Sequence, residues 1–179
     1  MILRILMNTA TMVVLLTACQ STPEHAQSWG PVAFETPVPF SAPDVVGLDA
    51  VNFVHPPENT LGEGRMELTL ALASRDYVEA LGTTDALLAD MAGTFLGVTA
   101  ATPGKARPFL GRTVEGWTAR TSIPRPAHWE YHLVPLHDGR QLLVALRRLE
   151  DVPTTEATNV LDAIAETLRE TGAGTPTNE

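Results

Sequence analysis

The chain has 179 residues, 44% hydrophobic, 18% charged and 6% aromatic, a composition that suits one globular domain and excludes a collagen-like or a disordered acidic chain. Its formal net charge is −9, from 12 Lys and Arg against 21 Asp and Glu. A nucleic-acid binder needs clustered cations against phosphate, and here they are scattered along the chain, so that class is excluded as well.

Residues 1–18 carry one charge, Arg4, then an apolar stretch from Ile5 to Leu16 and the small residues Thr17 and Ala18 ahead of Cys19. This is the layout of a secretory signal. It is too short for a membrane span, because the polar Asn8 and Thr9 interrupt it and Gln-Ser-Thr-Pro follows at once, whereas a crossing takes ~20 apolar residues. The single cysteine cannot close an internal disulfide. Leu16-Thr17-Ala18-Cys19 resembles the lipobox of bacterial lipoproteins: an aliphatic residue, a small one, Ala or Gly, then Cys. That resemblance implies cleavage after Ala18, diacylglycerol on the Cys19 sulfur and a third acyl chain on the new amino group. Two or more chains, at ~0.8 kcal/mol per buried CH₂, anchor a protein durably. An acidic body is repelled by anionic headgroups, so the lipid rather than a basic patch must bind the membrane. Gln20 and Ser21 after the cysteine resemble outer-membrane sorting, with the domain facing the periplasm; in a single-membrane organism the same anchor places it outside the cytoplasmic membrane.

Five prolines between Gln20 and Pro43 predict an extended tether rather than a helix or central strand, with Val32–Glu35 as a first edge strand. The expected organisation is a signal over 1–18, acylated Cys19 and tether over 19–30, one domain over 31–171 and a disordered tail over 172–179. The alternation from Arg65 to Ala73 places Met66, Leu68, Leu70 and Leu72 on one face of a strand, with Val51–Val54 as its hairpin partner. Helix is expected from about Asp76 to Leu96, with Leu87, Leu88, Met91 and Phe95 at helical spacing and a cap or break at Thr83 or Thr84 beside Gly82. Two more strands follow. In Arg112–Thr121, Thr113, Glu115, Trp117 and Ala119 share a face. The other, from His128 to Leu136, pairs forward across Asp138-Gly139, the preferred centre of a two-residue type I′ turn. That turn sets His137 opposite Arg140 and Glu130 opposite Arg147. It also puts Trp129, Tyr131 and Leu133 on the same side as Leu142, Val144 and Leu146. Pro153-Thr154-Thr155-Glu156 starts a last helix with the stripe Ala157, Val160, Leu161, Ile164 and Leu168, ending at Gly172.

Strands and helices in this order, joined by hairpins, predict an α+β fold, an antiparallel sheet packed with helices. The layout resembles the PsbP-like family, also found in DcrB-type bacterial lipoproteins. The likeness runs from about Ala42 to Glu170: an early hairpin, the Tyr77-Val78 segment before a helix, the strand Val114-Glu115-Gly116-Trp117, a long hairpin and a C-terminal helix. It implies an α/β/α sandwich and a non-enzymatic accessory or assembly module that binds protein partners in the envelope, without a cofactor.

His128-Trp129-Glu130-Tyr131-His132 is the one cluster with metal-ligand residue types. On a strand its two histidines stand ~13 Å apart at ~3.3 Å per residue, so at most one can join Glu130 on an ion. A metal-assisted hydrolase using Glu130 with His128 or His132 is therefore the alternative, beside a solvated face with a Glu130–Arg147 cross-strand pair; a structural envelope component is a further one. GxSxG, P-loop and GxGxxG motifs do not occur. Ser122, Ser74 and His55 could form a triad only by meeting in space. Trp117, Trp129 and Tyr131 are expected in the core. Pro103–Pro108, with Lys105 and Arg107, is read as a basic loop open to solvent or a partner.

Overall fold

The structure, a computed structural model, describes residues 25–122 and 125–172. The signal segment, Cys19 and the tail after Gly172 lie outside them. No helix among the described residues is long and apolar enough to cross a membrane.

The molecule is α+β. Its centre is a seven-stranded antiparallel sheet, and the strands bury both faces. In chain order these are β3 (Asp44–Gly47), β4 (Ala50–His55), β5 (Met66–Ala73), β6 (Thr102–Phe109), β7 (Arg112–Thr121), β8 (Ala127–Pro135) and β9 (Gln141–Leu149). Spatially they run β3-β4-β5-β9-β8-β7-β6, so the alternating Met66–Ala73 segment lies in the interior, paired with β4 and β9. A second sheet joins β1 (Ala26–Trp29), β2 (Val32–Glu35) and β10 (Arg169–Glu170) in the order β1-β2-β10. β1 thus packs inside the segment expected to be tether, through four register pairs with β2.

One face of the large sheet is covered by α3 (Thr154–Thr167) and the small sheet. Val160, Leu161 and Ile164 are fully buried against Leu68, Leu70, Val144 and Leu146. Phe34 meets Phe53 edge-on with ring centroids 5.8 Å apart, tying the two sheets together. The opposite face is covered by α1 (Arg75–Leu81), α2 (Thr84–Met91) and a π-helical turn at Ala92–Leu96. There Leu87, Leu88 and Met91 pack on Trp129, Tyr131 and Leu143. Ser74 and Thr83 cap α1 and α2 through their hydroxyls, and Gly82 ends α1 at φ 73°; the expected helical region is these two short helices with a break at Gly82.

Three expectations are corrected. α3 stops at Thr167 rather than Gly172, because Arg169 and Glu170 leave it to pair with β2. Pro103–Pro108 is strand β6, not a loop; as the outermost strand it tolerates prolines that a central strand excludes. The β8–β9 register is one residue from that expected: Trp129 lies opposite Arg147 and Glu130 opposite Leu146. The turn holds three residues, with Leu136 N–H donating to the Arg140 carbonyl and Gly139 at φ 85°, the loop that ends in a left-handed glycine. A slip of one flips a strand's side chains. Hence Leu142, Val144 and Leu146 face α3 with Glu130 and His132, whereas Trp129, Tyr131 and Leu133 face α2 with Leu143 and Ala145. Hydrophobicity could not decide the register, because both faces of β9 are buried.

A candidate site between the sheet and the C-terminal helix

The polar residues that face α3 gather at its side of β6, β7 and β8. The β6–β7 register passes from Gly104–Gly116 to Arg107–Val114, so Lys105 and Ala106 stand against Glu115 alone. This bulge gives β6 an extra residue and turns both Lys105 and Arg107 toward α3. Gly116 makes it possible: a Cβ there would lie 2.2 Å from the Lys105 carbonyl oxygen and 2.7 Å from His132 Cε1.

Arg107 is the hub. Its side chain is 1% exposed and three partners surround it. Nε donates to Asp162 Oδ1 on α3 at 2.7 Å, and Nη1 donates to Glu130 on β8 and to His132 Nε2, the latter at 3.0 Å. Lys105 Nζ adds a second cation on Asp162 at 2.9 Å. Nη2 is buried with no partner among the described residues. A guanidinium can only donate, so His132 Nε2 must accept, and its Nδ1–H donates to the Glu115 carbonyl at 3.0 Å. The ring is thereby held neutral. Burial first, and then the Arg107 charge, push its pKa down to about 4. Burial would raise the Asp162 carboxyl, but hydrogen bonds from Lys105 and Arg107 outweigh it and hold that group below its ordinary value.

This arrangement corrects the expected Glu130–Arg147 pair. Arg147 faces α2 and lies 3.3 Å from Glu67 on β5, both side chains under a tenth exposed. Of the two ligand pairs considered, Glu130 and His132 come together with the Arg107 guanidinium between them and both nitrogens of His132 engaged, whereas Glu130 and His128 line one cavity. Among the described residues no three His, Cys, Asp or Glu side chains are grouped to hold a metal. Nor does the fold bring the triad residues together. His55 pairs with Met66 at one end of β5 and Ser74 follows the other end, roughly 26 Å away at ~3.3 Å per residue. Ser122 follows β7, three strands across. Trp129 and Tyr131 are core residues as expected, and Trp117 packs half-buried beside them.

His128 belongs to a separate row. It stands opposite Arg120 on one neighbouring strand and Arg148 on the other, at the mouth of a cavity of about 110 Å³ that Glu130, Thr118 and Thr154 of α3 also line. Sequence reasoning names Arg107 and His128 but not the partners that the fold gives them, Asp162 for the one and Arg120 and Arg148 for the other. Their signal is long-range register: β6 was read as a loop, and residues 120 and 148 become neighbours only through β8.

These features define a class: a two-faced antiparallel sheet sandwiched between helices, with a self-paired ionic cluster under the C-terminal helix. No family model matches the chain, and no curated protein matches it. Among solved structures it is similar to the Saccharomyces cerevisiae Ran-binding protein Mog1p, with a TM-score of 0.51 and 11% identity over 79% of this chain and 90% of that one. It is also similar to a point mutant of Mog1, again with a TM-score of 0.51 and 11% identity, over 79% and 91%. At that identity the likeness is one of fold.

Proposed function

We propose that this chain is a lipid-anchored cell-envelope protein whose α+β domain is a non-catalytic binding or assembly module of the PsbP-like kind. Diacylglycerol on Cys19 holds it to the outer membrane, facing the periplasm. The observation that carries this reading is the unbroken Leu16-Thr17-Ala18-Cys19 motif directly after a short apolar segment headed by Arg4. Two further observations support it. Among the described residues, Arg107 holds one carboxylate oxygen each of Glu130 and Asp162 and the acceptor nitrogen of His132, so the lone pair that would make His132 a base is already engaged. The Ran-binding protein Mog1p has a similar fold, so protein-partner binding is a use to which such a sandwich can be put. The decisive experiment is labelling of expressing cells with radioactive palmitate. Label on the wild-type chain and none on Cys19→Ala is expected; equal label on both, or a water-soluble native protein that retains residues 1–18, overturns the anchor.

A further inference from the structure

We propose that the row Arg120–His128–Arg148 is a binding site for a phosphate group, seated in the groove between the β7–β9 surface and the start of α3. The argument begins with placement. Register puts the three side chains in direct cross-strand positions on one face of three adjacent strands, with neighbouring Cβ atoms about 5 Å apart, so that two guanidinium groups flank the His128 ring from either side. On a chain of net charge −9, such a concentration of positive charge asks for a counter-charge. The described residues do not supply enough of one. Neither Arg120 nor Arg148 has a carboxylate within 4.0 Å among them, and the nearest acid to His128 is Glu150, 3.9 Å away and largely exposed. Glu130 faces the same cavity but is held by Arg107.

The second observation is space. His128 and Arg148 both line the cavity of about 110 Å³ under α3. They also line a contiguous groove of about 610 Å³ that runs outward past Arg120, Thr118 and Thr102. The inner cavity exceeds the ~30 Å³ share of one water, and Thr118, His128, Glu130, Arg148 and Thr154 give its otherwise apolar lining polar groups. Arg148 is already aimed: Nη1 donates to the carbonyls of Val152 and Leu149 at 3.0 and 3.5 Å. A planar guanidinium so fixed still has donors to offer an oxyanion in a forked geometry. Thr118 and Thr102, hydroxyl to hydroxyl at 2.9 Å, use one O–H on each other and leave one to donate along the groove. Thr154 brings the first turn of α3, whose N-cap Pro153 has no capping side chain, to the cavity wall; its amide dipoles have the favourable sign. The two arginines and the cavity carry the inference, and the helix end only adds to the potential.

The ligand is defined by chemistry: a compact phosphate oxyanion. Its source is free phosphate or the phosphate of a lipid headgroup. The proposal deepens the reading of the domain as a binding module and does not depend on the anchor. Loss of palmitate label would remove the anchor and leave this site untouched, and the converse holds.

The test is a titration of the detergent-solubilised full chain with sodium phosphate, followed by the histidine ring resonances, with sodium chloride at matched ionic strength as reference. Saturable movement of the His128 resonances with phosphate and none with chloride is expected. The variants Arg120→Gln and Arg148→Gln should each weaken binding about tenfold, the size of one charge-assisted bond, while Arg75→Gln, on α1 at the opposite face, should leave it unchanged. Arg120 is exposed, so its variant tests the site even if Arg148→Gln destabilises the fold. Glycerol 3-phosphate and the soluble phosphodiester glycerophosphoglycerol, which carries the phosphatidylglycerol headgroup without its acyl chains, separate the sources: weaker binding of the diester than of phosphate points to the free anion, and binding of the diester at least as tight as that of phosphate, weakened in Arg120→Gln, points to a headgroup. Movement matched by chloride, or phosphate affinity unchanged in both arginine variants, overturns the proposal.

Discussion

His132 is buried, neutral and tautomerically fixed, and its pH behaviour follows. The unfolded ring titrates near 6.5 and the folded one near 4, so between those values the unfolded chain binds more protons and stability falls as the pH drops; above about 6.5 the contribution is complete. A shift of this size is worth about 3 kcal/mol across the window. Urea midpoints between pH 7 and 4 should therefore decline steeply in the wild type and less steeply in His132→Gln. The slope that remains belongs partly to His128, whose pKa burial and then Arg148 and Arg120 lower. Gly116 is the other residue on which the cluster turns. In Gly116→Ala the new methyl meets the Lys105 carbonyl, which is backbone and cannot swing aside, so a loss of roughly 1–3 kcal/mol is expected by chemical denaturation. The same substitution at Gly82, where nothing lies within 4 Å, would meet only the strain of its positive φ.

At the scale of elements, Arg107 fastens β6 to both β8 and α3. Arg107→Ala leaves Glu130 without its cation and Asp162 with Lys105 alone. Breaking a buried pair costs 3–5 kcal/mol, and because Glu130 and Asp162 are 21% and 35% exposed, about 2 kcal/mol is the expected loss after solvent screening. Hydrogen exchange should show it first in the amides of β6. How far these elements were legible depended on what each strand faces. β5 alternates Met66, Leu68, Leu70 and Leu72 with Glu67 and Thr69, and α3 repeats its apolar residues at helical spacing, so both can be read directly. β6 has Pro103, Pro108 and Gly104, a loop's composition, and is a strand only because it is outermost and bulged. β9 is apolar on both sides from Leu142 to Leu146, so hydrophobicity gave no register, and Asp138-Gly139 fits a three-residue turn as readily as a two-residue one. The candidate site suffered most. Glu130 and His132 stood out by residue type, whereas their true partner lay in a segment read as loop, and Asp162 sat unnoticed on the polar flank of a helix.

For the whole molecule, the two layers over the central sheet are unequal. α3 buries Ala157, Val160, Leu161, Ile164 and Ala165, while α1 buries no residue and α2 buries three. Local opening follows such differences in buried apolar contact. Amides of Val78–Leu81 should therefore exchange far faster than those of Val160–Ala165, by at least a hundredfold under native conditions in deuterium exchange followed by mass spectrometry. Equal protection in the two helices would show that the layers open as one unit.

β1 meets β2 through Ala26–Glu35 first and Trp29–Val32 last, and the small sheet is separate from the large one. Tension arriving along the chain from before residue 25 would therefore act on the open end of a hairpin, peeling its rungs in sequence instead of shearing them together. If the molecule hangs from its amino end, β1 is a mechanical fuse: four residues can come away and lengthen the leash while the seven-stranded body, and the groove beneath α3, stay whole.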